Sequence, residues 1–181
     1  MFWIIILITF LIIGFIAYYF NKIIISENTI KNAWAQIDVQ LKKRADLVPN
    51  LIETVKGYAK HEKNIFKDVT EARKEMLTAK TKNQKVKAGN HLADALKTIF
   101  AISENYPKLR ASENFALLQE ELAGIESKIA YARQHYNDSI LRFNNTIKTV
   151  PGLWFARFMK KEEQPMLKIK EIEREPVKVK F

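Results

Sequence analysis

The chain has 181 residues, which suffices for one ordinary domain with an anchor and is too few for two full domains. The absence of cysteine excludes disulfides, thiolate catalysis and cysteine-ligated zinc or iron–sulfur sites. A composition of 48% hydrophobic and 28% charged residues with only 5 Gly and 5 Pro is typical of a few long helices. The formal net charge of +10 favours anionic partners such as phospholipid head groups, nucleic acid or an acidic protein.

The first predicted element is a transmembrane helix from Phe2 to Phe20. This segment contains no charged side chain and consists mainly of Ile, Leu and Phe. At ~1.5 Å per residue it reaches roughly 28 Å, about the hydrocarbon thickness of a bilayer. Residues that prefer the membrane interface stand at its two ends: Trp3, Tyr18, Tyr19 and Lys22. We therefore assign residues 1–25 to an anchor in contact with membrane lipid.

A cleaved signal peptide is the alternative for the same segment. Such a leader begins with basic residues and ends in small ones, but nothing basic precedes Phe2 and the far end reads AYYF. These features favour a retained anchor. Because lysine and arginine follow the span and none precedes it, the positive-inside rule predicts a single-pass protein of the cell membrane whose C-terminal domain is cytoplasmic.

Apolar residues then recur every three or four positions, which predicts amphipathic helices over residues 26–150. The first stripe comprises Ile30, Trp34, Ile37 and Leu41, and the second comprises Leu51, Val55, Tyr58, Ile65, Val69, Ala72 and Met76. Pro49 lies between them. Because proline removes a helical hydrogen bond, we expect either a kink at Pro49 or a new helix capped near Asp46.

Two further helices follow, from Val86 to Asn105 and from a cap near Ser112 to about Val150. The last stripe comprises Phe115, Leu118, Leu122, Ile125, Ile129, Ala132, Tyr136, Ile140, Phe143 and Ile147. Its repeat is close to that of a coiled coil, which favours side-by-side packing. The expected fold is all-α: one N-terminal transmembrane helix followed by an elongated, antiparallel four-helix bundle of the up-and-down type, about 50 Å long.

Residues 151–164 form a short aromatic and basic segment that reads PGLWFARFMKKEEQ. Large apolar rings beside cations suit the membrane interface, and folding back to plug the end of the bundle is the alternative. In residues 165–181, charged and apolar side chains alternate, which predicts an extended C-terminal tail.

One long run carries a resemblance to a known family. Residues 33–58 read AWAQIDVQLKKRADLVPNLIETVKGY. Two later stretches agree in order and spacing, Tyr106 to Phe115 and Ala132 to Asn144. Together these closely resemble the LemA family, over nearly the whole chain. The resemblance implies a membrane helix followed by a helical bundle, as found in bacterial and archaeal membrane proteins, and implies no established biochemical activity. Val150 to Phe155 departs from the family, which usually has Phe-Pro followed by smaller residues.

No recognised catalytic, metal or cofactor motif occurs in the sequence. None of the three histidines, His61, His91 and His135, has a Glu three residues before it, as the metal sites of carboxylate-bridged bundles require. His91 and His135 each have an Asp three residues later, a spacing that is common in surface pairs. We therefore predict no enzyme, no cofactor and no metal.

A polar set within the family signature has two interpretations. Four members surround Pro49 and four belong to the last helix: Arg44, Asp46, Asn50 and Glu53, then Asn114, Arg133, Tyr136 and Asn137. In the first interpretation they cap the interrupted helix and bond across the bundle, fixing its register. In the second, the interruption creates a recognition surface, where freed backbone groups and an Arg engage a carboxylate or peptide.

Two functions from different classes remain open. The leading hypothesis is a non-enzymatic scaffold or adaptor that contacts other proteins, or itself, at the membrane surface. The alternative is a module that binds an acidic lipid, nucleic acid or polymer through its basic surface, where the densest run is Lys80, Lys82, Lys85 and Lys87. Nucleic acid is the least favoured of these ligands, because aromatic residues are not interleaved with the lysines.

Overall fold

The computed structural model describes residues 1–167, and no strand occurs among them. Its helices are α1 (Phe2–Lys56), α2 (Lys63–Thr78), α3 (Lys82–Ile102), α4 (Pro107–Arg110), α5 (Glu113–Lys148) and α6 (Gly152–Phe158). A 3-10 turn at Ser103–Asn105 lies between α3 and α4. The predicted all-α class is therefore confirmed.

The α1 helix corrects the prediction at Pro49. A new helix starting there is wrong, because α1 continues through Pro49 to Lys56. The second stripe is also not one helix: residues 57–62 form turns, and α2 begins at Lys63. Tyr58, counted in that stripe, is exposed. The break between the two helices therefore falls directly after Lys56, at Gly57, and not at Pro49.

The two later helices occur where they were predicted, but α3 begins at Lys82, four residues before the predicted start at Val86. A capping box starts α3, in which Thr81 and Gln84 each accept a hydrogen bond from the other's backbone N–H. The single-turn helix α4 begins at Pro107. The α5 helix buries nine of the ten predicted stripe positions, and Leu118 is half-buried. The predicted apolar repeat is therefore the buried face of α5.

The structure divides into two compact units, the second of which comprises Ala35–Ala132. Within it, α1 and α2 are antiparallel, since Ala45 contacts Arg73 and Lys56 lies over Phe66. Glu75 of α2 contacts His91 of α3, and Glu62 just before α2 contacts Tyr106 beyond the 3-10 turn. These pairs make α2 and α3 antiparallel as well.

Two further sets of contacts define the helix arrangement in this unit. One set joins α1 to α3, and the other lies at the start of α5. Contacts of Asp38 with Lys85 and of Arg44 with Gly89 run in the same direction along α1 and α3. The chain then enters α5 through the turn at α4, where Phe115 packs edge-on against Phe100 at 5.9 Å. Along the chain, α1, α2 and α3 therefore alternate in direction, as in an up-and-down arrangement.

The first unit comprises Met1–Trp34 with Arg133–Phe181, of which the structure describes residues up to Leu167. Its buried apolar side chains come from the middle of α1, the end of α5 and α6: Ile23, Ile30, Ala33, Tyr136, Ile140, Phe143, Ile147 and Ala156. The side chains of residues 2–18 are all exposed. The boundaries predicted at residues 25, 150 and 164 stay predictions.

Residues 161–167 follow α6 without regular secondary structure. The extended tail was predicted for residues 165–181, and beyond Leu167 that prediction lies outside the described residues.

Candidate interaction surface around Pro49

Pro49 leaves a backbone carbonyl of α1 without its helical donor. Inside a helix the N–H of residue 49 bonds to the carbonyl of residue 45, and proline has no N–H. Arg73 of α2 replaces it, because its Nε donates to the carbonyl oxygen of Ala45 at 2.8 Å. The interruption in α1 is therefore satisfied by a side chain from the neighbouring helix, which fixes the register of the two helices.

A groove of about 440 Å³ lies beside this bond, between α1 and α2. Its lining combines apolar, basic and acidic side chains: Val48, Pro49, Ile52, Glu53, Lys56, Thr70 and Arg73. Val48 and Ile52 form a buried apolar floor, whereas Glu53 and Lys56 are exposed at the rim. An apolar floor with charged groups around it is the usual composition of a small recognition site.

The structure separates the four predicted polar residues around Pro49 into two groups. Asp46, Asn50 and Glu53 have exposed side chains on the same helix as Pro49. Arg44 is instead buried, with only 2% of its surface exposed. The arginine that lines the groove is thus Arg73, which the sequence reasoning missed.

Arg44 holds three helices of the second unit together. Its Nη1 donates to the carbonyl of Gly89 in α3 at 3.1 Å, and its Nη2 forms an ion pair with Glu126 of α5. Glu126 is about half exposed, so water solvates its carboxylate while the guanidinium is buried. Arg44 follows the first interpretation of the polar set, namely bonding across the bundle.

Gly89 permits this approach. A Cβ built there would lie 2.6 Å from Cδ2 of Leu41, so α1 and α3 pack more closely at this point than a larger side chain allows. The same pair of helices is joined by an ion pair between Lys85 and Asp38. One of the four lysines in the predicted basic run therefore has an intramolecular carboxylate partner.

In the first unit, Tyr136 is buried and packs edge-on against Trp34 at 5.7 Å. Arg133 is half-buried on the same helix, one turn earlier. Asn114, also predicted as a candidate, is exposed in the first turn of α5 in the second unit. The structure therefore does not bring the four α5 candidates together.

Asn137 and Asn144 of α5 hold the chain that follows α6. The amide of Asn144 donates to the carbonyl of Gln164 at 2.9 Å and accepts from its N–H at 3.0 Å. Asn137 makes the same pair of bonds with the backbone of Leu167, at 3.2 and 2.9 Å. We call this arrangement the asparagine ladder. In both pairs the asparagine side chain bonds to main-chain atoms of the segment after α6. The contacts therefore do not depend on which side chains stand at positions 164 and 167.

The histidines do not form a site with three ligands. Nδ1 of His91 lies 2.8 Å from Oε2 of Glu75, and both side chains are about half exposed. Within residues 1–167 no three His, Asp or Glu side chains converge as metal ligands would. Tyr106 donates its hydroxyl to Glu62 at 3.1 Å, and this bond raises the pKa of the tyrosine above its ordinary value.

These features define the class of protein to which the chain belongs. It is an all-α protein in which one helix of the described residues, α1, is long and apolar enough to cross a membrane, with an 18-residue window of mean hydropathy 2.5. Residues 33–181 match the LemA family, so the chain is a member of that family. None of the curated proteins matches it. The family resemblance seen in the sequence is thereby confirmed.

Proposed function

We propose that this LemA family protein is a single-pass membrane protein that acts as a non-enzymatic scaffold, binding another protein through the groove beside Pro49. The observation that carries the proposal is the position of that groove on α1, the helix that also contains the apolar segment from Phe2 to Phe20. One helix thus supplies both a membrane-compatible surface and one wall of a recognition site.

The apolar segment supports the anchoring part of the proposal. Its side chains are exposed, including Ile4, Leu11 and Phe15 at about half or more of their surface. Exposed apolar area of this extent is unfavourable in water and favourable in lipid. Lys22 lies within 6 Å of the rings of Tyr18 and Tyr19, an arrangement suited to the head-group region.

The chemistry of the groove supports the binding part. Ile52 and Val48 offer an apolar floor, while Lys56 and Arg73 provide positive charge beside it. A partner segment with an apolar side chain next to a carboxylate fits this lining. Anchoring confines the protein to the membrane surface, which raises the effective concentration of a membrane-associated partner and makes a modest contact sufficient.

Site-specific photo-crosslinking in intact cells tests the binding part. We expect a photoreactive residue at Glu53, exposed at the rim of the groove, to give a discrete adduct, and the same residue at Glu120, exposed on α5, to give none. Replacing Ile52 by Glu should abolish the adduct, because it places a charge on the apolar floor. Equal labelling from both positions, or an adduct unaffected by Ile52→Glu, contradicts the proposal. An adduct of twice the chain mass identifies a second copy as the partner.

Binding of an anionic ligand by the basic surface remains the second candidate. The net charge of +10 favours it, and pairing of Lys85 with Asp38 removes one cation from the densest basic run. Capture of a soluble anionic polymer by the reconstituted protein and the crosslinked adduct at the groove, each followed across a salt series, separate the two functions. Electrostatic association weakens steeply as salt rises, whereas a contact dominated by the apolar groove changes little.

A further inference from the structure

We propose that α6 lies in the head-group region of the membrane as a second lipid contact, in addition to the N-terminal span. This inference rests on the proposed anchoring. It assigns the short aromatic and basic segment after α5 to a lipid surface, and it follows from where α6 is held and from which of its side chains remain exposed.

The α6 helix is held against the end of the apolar segment of α1. The ring of Phe155 stacks on Tyr19 with centroids 5.5 Å apart and planes 8° from parallel. It also lies 6.2 Å from the ring of Phe15, one turn earlier in α1. Tyr19 directly precedes the last residue of the predicted span. If the span is in the bilayer, Phe155 is therefore at the depth of the interfacial aromatic rings.

Two further contacts fix α6 at this position. A Cβ at Gly152 would lie 2.0 Å from the backbone oxygen of Thr146, so α6 approaches α5 at a distance that only glycine permits. Just after α6, Nζ of Lys161 lies 2.5 Å from Oε2 of Glu27 in α1. The segment is thus attached to α1 at Phe155 and again at Lys161, and to the end of α5 at Gly152.

The outer face of α6 has the composition of an interfacial helix. Trp154 is 63% exposed and Phe158 is 82% exposed, although both are large and apolar. Arg157 and Lys160 are exposed beside them. Water disfavours such a group of rings, whereas the head-group boundary solvates the rings and the cations together. Gly152 and Ala156 form the opposite, buried face.

Quenching of tryptophan fluorescence by brominated lipid tests the position of α6 in the full chain. The chain has three tryptophans, so three proteins with a single tryptophan each isolate one reporter: Trp154, Trp3 or Trp34. Each is reconstituted into phosphatidylcholine vesicles whose acyl chains carry bromine near the head group or near the methyl end. Trp3 reports on the anchor, and half-buried Trp34, packed on Tyr136, is the unquenched control.

We expect Trp154 to be quenched more strongly by bromine near the head group than by bromine near the methyl end, and Trp34 by neither. Quenching of Trp3 without quenching of Trp154 overturns the inference and leaves the proposed anchoring intact. Absence of quenching at both overturns the anchoring and the inference together. If the protein with Trp34→Phe does not fold, the Trp3→Phe protein is compared with the Trp3→Phe, Trp154→Phe protein. Both keep Trp34, so the difference in quenching between them reports on Trp154.

A glycine pair provides a matched control for the role of packing. Gly152→Ala should reduce quenching of Trp154, because the added Cβ forces α6 away from Thr146. Gly124→Ala in α5 should leave quenching unchanged, since nothing lies within 4 Å of its Cβ position. Unchanged quenching of Trp154 in Gly152→Ala contradicts the argument that this contact holds α6 at the interface.

Discussion

Arg44 and Lys43 are neighbours on α1, and each pairs with a glutamate of α5 in a different environment. The Arg44 side chain is 3% exposed, whereas Lys43, 3.9 Å from Glu121, is 54% exposed. We expect Arg44→Ala to lower the free energy of unfolding by about 3 kcal/mol, because it leaves a cavity and removes bonds to two helices. Lys43→Ala should cost less than about 0.5 kcal/mol, as is usual for exposed pairs.

Denaturant unfolding of the full chain in mild detergent measures both values, and Arg44→Met refines the comparison. Methionine fills much of the volume without the charge, so the difference between the Ala and Met variants separates packing from electrostatics. Equal effects of Arg44→Ala and Lys43→Ala would refute the structural role of the buried guanidinium.

Pro49 and Arg73 form a pair whose coupling can be measured. Arg73→Met removes the donor to the Ala45 carbonyl and should cost about 1–2 kcal/mol when that carbonyl has no other partner. In the Pro49→Ala background the restored N–H of residue 49 bonds to the same carbonyl, so Arg73→Met should cost less. We expect a coupling of about 1 kcal/mol in the double-mutant cycle.

The free energies of unfolding of the four proteins give this coupling. Thr70→Ala, a change at another residue lining the same groove, serves as the control and should be additive with Pro49→Ala. Additive effects of Pro49→Ala and Arg73→Met would show that the arginine does not compensate for the missing N–H.

The same two residues show how far the sequence determines the site. A proline within a helical stripe implies that the carbonyl of Ala45 loses its donor, and this can be read without a structure. Which side chain replaces the donor depends on the packing of α2 against α1, and no spacing within the sequence gives that. For this reason Arg44, which belongs to the signature, was named as the arginine at the Pro49 surface, and Arg73 was missed.

At the scale of elements, the asparagine ladder connects α5 to the chain beyond α6. Asn144→Ala should accelerate amide hydrogen exchange at Gln164 roughly fivefold to tenfold, since one hydrogen bond is worth about 1 kcal/mol. Asn144→Asp keeps the accepting oxygen and should preserve most of the protection. NMR-detected exchange in detergent measures the rates.

Asn145→Ala is the matched control for the ladder, because Asn145 is the next residue of α5 and is exposed. It should leave exchange at Gln164 and Leu167 unchanged. Exchange at Gln164 that is insensitive to Asn144→Ala would mean that this backbone is not held by the asparagine in solution.

The contact between Glu27 of α1 and Lys161 beyond α6 predicts a dependence of stability on pH. The hydrogen bond from Lys161 lowers the pKa of Glu27 below its ordinary value of 4.5. A carboxylate with a lowered pKa contributes stability above its ordinary pKa and loses it as the pH falls through the lowered value. Because Glu27 is about one-third exposed, we expect a contribution under about 1 kcal/mol.

Unfolding of the native chain and of Glu27→Gln, compared from neutral pH down to pH 3, measures this contribution. The native chain should be the more stable at neutral pH, and the difference should shrink below the ordinary pKa of 4.5. Glu120→Gln, at an exposed carboxylate outside the described ion pairs, should show no such trend. A constant difference at all pH values would contradict the assigned bond.

Helix boundaries were predicted less accurately than the helices themselves. The start of α3 was predicted at Val86, although the capping box of Thr81 with Gln84 places it at Lys82. At the end of α1, Pro49 suggested a boundary, yet the helix continues for seven more residues, to Lys56. It continues because tertiary packing of Leu51 and Val55, both fully buried, stabilises the last turns against the cost of the proline.

At the scale of the whole molecule, the proposed membrane topology depends on hydropathy and charge. Positive charge follows the apolar segment, with the first cation at Lys22. Helix packing does not distinguish the two sides of a bilayer, whereas the asymmetry of Lys and Arg does. The predicted sidedness therefore depends on the distribution of Lys and Arg along the sequence and not on a contact in the folded structure.

The absence of native cysteine makes this sidedness measurable with single introduced thiols. Lys128→Cys places a thiol on the exposed surface of α5, and Phe2→Cys places one at the N-terminal end of the span. We expect a membrane-impermeant maleimide applied to intact spheroplasts to label the thiol at position 2 and to label the thiol at position 128 only after permeabilisation. The reverse pattern would place the C-terminal domain outside. Labelling of both thiols only after permeabilisation would exclude a spanning helix, because the two ends of a helix that spans the bilayer face different compartments.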